Sequence, residues 1–134
     1  MSDGGEATVR QPAREQLMSV RRVDRTDAFI LHVDGAVDGL TAPRLRRAID
    51  IAFDELDGRP LVVDLAEVTF FGSAGLRTMS ESADQAATRS GFEPLRVVVD
   101  HNRPVVRPME IVGLDAVLTL FYDVADAIAG RAAE

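Results

Sequence analysis

Ser73 sits in the stretch Leu61–Ser80, LVVDLAEVTFFGSAGLRTMS, with only small residues beside it: Gly72, Ala74 and Gly75. A hydroxyl in such an open setting can cap a helix, attack an ester or accept a phosphate. Attack is disfavoured. The nucleophile-elbow pattern needs Gly two residues before the serine, and Phe71 stands there. The only histidines, His32 and His101, fall in a strand-like run and in a loop 28 residues after the serine, which gives no evident base. Asp64 is no better as a receiver-type phosphoacceptor, because an acidic pair after the first strand and a lysine are both missing. Its carboxylate is expected to position the turn that follows. Neither histidine has a His or Cys partner at ligand spacing, and the chain has no Cys, so metal and disulfide chemistry are not expected. The residues alone leave two readings of Ser73 open, a plain N-cap and a phosphoacceptor in the positive end of a helix dipole.

The elements that must position this serine are legible from periodicity. Leu61, Val62, Val63, Asp64 and Leu65 form a short apolar run that ends near the aspartate, the pattern of a strand buried on both faces. Val68, Phe70 and Phe71 are expected in a connection. Beyond Ser73, Leu76, Met79, Ala83 and Ala87 recur at helical spacing, with Gly91 as the expected C-cap residue. Upstream, Leu17–Val23 and Ala28–Val33 read as a hairpin joined by the turn Asp24–Asp27. Gly35, Asp38 and Gly39 mark a loop, with Asp38 a natural turn former. Thr41 is expected to cap a helix with Pro43 in its first turn.

That first helix places Leu45, Ile49, Ala52, Phe53 and Leu56 on one stripe. Its polar face is reversed: Arg44, Arg46 and Arg47 lie at the start and Asp54, Glu55 and Asp57 at the end, against the macrodipole. An Arg46/Asp50 pair offsets part of this. The face is either simply solvated or turned towards a partner. Further on, Leu95–Val99 reads as a strand, and Asn102 as the cap of a short helix in which Pro108 should break the start. Val117–Phe121 is a strand and Val124–Ala129 a helix capped by Asp123. Strands alternating with helices after a hairpin predict an α/β domain: a mixed, mostly parallel sheet with about four covering helices.

The 134 residues fit one domain, residues 16–130, preceded by a flexible tail over 1–15. Fifteen basic against twenty-two acidic residues give a net charge of −7, which disfavours nucleic acid and anionic membrane as partners. All fifteen basic residues are Arg, which removes lysine-dependent chemistry. No apolar run spans a bilayer and no signal peptide precedes the domain, so a cytoplasmic location is expected.

The segments Gly35-Ala36-Val37-Asp38, Val63–Leu76 and Val112-Gly113-Leu114 together resemble a STAS domain of the bacterial anti-sigma factor antagonist type. In that family a strand passes an aromatic residue and enters a helix through Asp-Ser-Ser/Thr-Gly-Leu, and the first hydroxyl residue is phosphorylated. Aligned on Phe70, Gly75 and Leu76, that acceptor falls on Ser73. Gly72 replaces the usual Asp, and Ala74 a common second hydroxyl residue. The resemblance implies a STAS-like single domain whose partner is an anti-sigma factor, itself a serine kinase of the histidine-kinase-like ATPase type. It implies no catalysis and no cofactor. The partner-binding rim would comprise Asp38, Gly39, Thr41, Gly72, Ala74, Gly75 and Arg77. Asp38 matches a position whose carboxylate helps dock the kinase. The alternative is a STAS interaction module without phosphoregulation, a scaffold or small-ligand sensor, which the changes at Gly72 and Ala74 would favour.

Overall fold

A computed structural model describes residues 18–89, 94–101 and 104–130. The expected tail, the Gly91 cap and the Asn102 cap lie outside the described residues. The chain opens with a hairpin of β1 (Met18–Asp24) and β2 (Phe29–Val37) and continues through α1 (Ala42–Asp54), β3 (Leu61–Phe71) and α2 (Ser73–Arg89). It then passes through β4 (Leu95–Val98), α3 (Val106–Ile111), a 3₁₀ turn at Leu114–Ala116, β5 (Leu118–Phe121) and α4 (Val124–Ala129). The sheet has the sequential order β1-β2-β3-β4-β5, antiparallel at the hairpin and parallel elsewhere. No helix among the described residues is long and apolar enough to cross a membrane.

Alternation along the strands sorts the core into two layers. On one face Leu31, Val33, Leu61, Val63, Leu65 and Val97 pack beneath α1, α2 and α3. On the other, Ala28, Ile30, Val62, Val98 and Phe121 pack with Ala127 of α4. The predicted stripe of α1 and its extension, Leu45, Ile49, Ala52, Phe53 and Leu56, is buried throughout. Three of its reversed charges, Arg46, Asp54 and Glu55, find ion-pair partners in other elements. Asp54 pairs with Arg89 of α2 and Glu55 with Arg22 of β1, while Arg46 joins Asp50 at 3.1 Å and Glu81 of α2. Partners fixed by the tertiary fold thus offset a helix dipole effect of a few tenths of a kcal/mol per charge, ~0.3–1 at most.

Several boundaries differ from the sequence reading. β3 does not stop near Asp64; it runs on to Phe71, paired with β2 across two irregularities where β3 carries an extra residue. Val68, Phe70 and Phe71 are therefore strand, and Asp64 lies within it. The Asp64 carboxylate accepts the Ala66 N–H at 3.0 Å and meets His32 Nδ1 at 2.7 Å. Gly35 is not in a loop but inside β2 at the second irregularity, with φ of 99°, a conformation that favours glycine. α3 starts late enough that Pro108 falls in its first turn, where a missing N–H costs nothing. In the hairpin turn Arg25 clamps Asp27, and that hydrogen bond holds the Asp27 carboxyl below its usual range.

Candidate functional site

β2 and β3 are parallel neighbours, so their C-terminal ends deliver two loops to the same edge of the domain. The first runs from Asp38 to Thr41 into α1, and the second is the single residue Gly72 into α2. Asp38 organises the first loop: its Oδ1 accepts the N–H of Leu40 at 3.0 Å and of Thr41 at 3.1 Å. The expected Thr41 cap takes another form. Thr41 occupies the N-cap position, but its hydroxyl points back, accepting the Asp38 N–H at 2.9 Å and donating to Ala36 O at 2.8 Å. Thr41 is fully buried, so it supports the rim rather than forming part of its surface.

Thr41→Val keeps the shape but leaves the Asp38 N–H and the Ala36 carbonyl without their partner. The loop should loosen, with a loss of about 1–2 kcal/mol in urea unfolding.

Ser73 is the first residue of α2 rather than its cap. Gly72 takes the capping position, its carbonyl accepting the Leu76 N–H at 3.1 Å, and its own N–H donates to Val37 O at 3.0 Å. The Ser73 side chain is exposed and its hydroxyl makes no hydrogen bond among the described residues. A Cβ at Gly72 would come within 3.0 Å of the Phe70 ring, so the glycine lets that ring lie across the turn. Gly75 is buried one turn along: a Cβ there would sit 2.9 Å from both Phe71 Cε1 and Val37 Cγ1. It is a packing residue beneath the site, not a contact residue on it.

Between the first turns of α1 and α2 lies an open groove of about 320 Å³, lined by Gly39, Pro43 and Arg46 on one side and Ser73, Arg77 and Glu81 on the other. Ala74 also lines it. The structure therefore gathers Ser73, Ala74, Arg77 and Gly39 around one depression, with Asp38 and Gly72 in the loops that frame it. Two residues the sequence reading left out of the site belong to this edge. Leu40 is 61% exposed beside Gly39, and Phe70 is 52% exposed beside Gly72. Both put large apolar side chains in water beside the open groove. In the sequence both read as ordinary apolar residues, and their exposure in the fold is what marks them.

An α/β domain with an exposed serine at a strand-to-helix handover, on an open groove, is the class of structure these residues define. A family model for the STAS domain matches residues 18–127. The anti-sigma-F factor antagonist RsfB of Mycobacterium tuberculosis is 30% identical over 114 residues, covering 84% of this chain and 88% of that protein. A crystal structure of an anti-sigma factor antagonist from Mycobacterium paratuberculosis superposes with a TM-score of 0.74 at 28% identity, covering 84% of this chain and 92% of that one. The phosphorylated form of the Bacillus cell fate determinant SpoIIAA shares the fold, with a TM-score of 0.59 at 15% identity over 84% of this chain and 98% of that one. The chain belongs to the STAS domain family, in its anti-sigma factor antagonist group.

Proposed function

We infer that this protein binds an anti-sigma factor through the rim formed by the Asp38–Leu40 loop, Phe70 and the first turn of α2, and that phosphorylation of Ser73 ends the contact. The partner is then both target and kinase, of the histidine-kinase-like ATPase type, and the outcome is control of sigma-factor-dependent transcription in the cytoplasm. The observation that carries this reading is the Ser73 hydroxyl itself: exposed, without a hydrogen bond among the described residues, and at the head of a 17-residue helix on the groove edge. A capping serine would accept one of the first-turn N–H groups, and Ser73 accepts none among the described residues.

In the transfer, the bond between the β-γ bridging oxygen and the γ-phosphorus of ATP breaks and a new bond forms from Ser73 Oγ to that phosphorus. ADP leaves, and the hydroxyl proton passes to a base of the kinase. The antagonist contributes the nucleophile and its presentation, and the kinase contributes the catalysis. Leu40 and Phe70 supply exposed apolar area on the same edge, which suits a partner patch with an apolar centre and polar margin. Asp38 keeps its backbone-organising role and places a carboxylate on the same edge.

Incubation with a cognate anti-sigma factor and ATP, followed by peptide mass spectrometry, should find one added phosphate on the Ser73 peptide. An unlabelled Ser73 peptide, with partner binding intact, would instead select a STAS interaction module without phosphoregulation.

A further inference from the structure

We propose that the groove between α1 and α2 is an intramolecular seat for the Ser73 phosphate, with Arg77 as its first guanidinium and Arg46 as its second. This rests on Ser73 being the modified residue and adds where the phosphate goes. Ser73 and Arg77 stand four residues apart on α2, the spacing that brings side chains one above the other on a helix face. Both line the groove, and Arg46 closes it from α1.

The two arginines differ in their engagements. Arg77 is exposed and forms no ion pair among the described residues, so it can turn to a phosphate without breaking an existing contact. Arg46 is held by Asp50 at 3.1 Å and by Glu81, which also lines the groove. A dianion at Ser73 competes with Glu81 for Arg46, and a phosphate offers more charge and more acceptor oxygens than a carboxylate. The charged groups around the seat are Arg77 and Glu81 on α2, Arg46 and Asp50 on α1, and Asp38 in the preceding loop. With the phosphate in place, Arg46 moves from Glu81 towards Ser73 and the groove fills. Modification then acts in two ways, adding charge to the docking edge and occupying the depression a partner side chain would enter.

The test installs phosphoserine at position 73 during translation, so it needs no kinase, and follows the second ionisation of the phosphate by phosphorus NMR. Two neighbouring guanidinium groups favour the dianion, so the titration midpoint should lie below that of the same protein unfolded in urea. Arg77→Gln should raise the midpoint by about half a pH unit and Arg46→Gln by a smaller amount, whereas Arg77→Lys should retain most of the wild-type value. The helix dipole is common to all these proteins and cancels in the comparison. Far-ultraviolet circular dichroism checks that each variant is folded. A midpoint unmoved by Arg77→Gln overturns the seat, and one unmoved by Arg46→Gln overturns the exchange with Glu81. Because the phosphate is supplied genetically, these results stand apart from whether a kinase labels Ser73.

Discussion

Protein carrying phosphoserine at position 73 should bind its anti-sigma factor about a hundredfold more weakly than unmodified protein, and Ser73→Asp roughly tenfold more weakly, because phosphate brings about −1.5 to −2 charges and Asp only one. The magnitude follows from where the charge lands. Ser73 lies on an exposed edge of the domain that also carries Leu40 and Phe70, and on the proposed reading both would lose water when the partner docks. Desolvating a dianion there against a surface fitted to a neutral hydroxyl costs on the order of 3 kcal/mol, which is the stated hundredfold. Ser73→Ala removes the acceptor but adds no charge and empties no cavity, so its affinity should match wild type within about twofold. Isothermal titration of the four forms against the partner measures this directly. Equal affinity across all four would remove phosphoregulation and leave a constitutive binding module.

The second large effect concerns stability. Gly75→Val should destabilise the domain by about 2–3 kcal/mol, lowering the melting temperature by on the order of 10 °C. A Cβ at this position sits 2.9 Å from the Phe71 ring and 2.9 Å from the Val37 side chain, and both are buried. Neither neighbour is a free chain end that can swing aside, so α2 must lift from the strand ends. Gly75→Ala makes the same contact with less bulk, and its better helix propensity, worth up to about 1 kcal/mol, offsets part of the strain. A loss of around 1 kcal/mol is expected there. Thermal unfolding followed by circular dichroism ranks the three proteins, and a Gly75→Val protein as stable as wild type would show that the helix start is loosely seated.

Much of this architecture could be read from residue patterns. The stripe Leu45, Ile49, Ala52, Phe53 and Leu56 predicts the buried face of α1 because helical periodicity records which side meets the sheet. Asp123 predicts the start of α4 because an N-cap is a local event, and its Oδ1 accepts the Asp126 N–H at 2.7 Å. What escaped depends on the partner strand or helix. The extension of β3 to Phe71 is fixed by pairing with β2, including two extra residues that no single-strand pattern reveals. The one-residue offset at Ser73 follows from Gly72 bonding to Val37, a contact between elements 35 residues apart in sequence. The reversed charges of α1 look unfavourable until Arg22 and Arg89 arrive from β1 and α2. Ser73 could be singled out from its small neighbours, whereas Asp38 and Arg77 entered the rim only through the family resemblance. Leu40 and Phe70 resembled ordinary apolar residues, and only their exposure sets them apart.

The C-terminal end of β2 has one further consequence. Ala36 accepts the Thr41 hydroxyl, Val37 accepts the Gly72 N–H and packs beneath Gly75, and Asp38 braces the loop that leads into α1. Both loops of this edge are thus anchored on the same three consecutive residues. On the proposed reading, a partner would then meet one preorganised body: little conformational freedom would be surrendered on association, and affinity would depend on what the rim presents rather than on what it must first assemble.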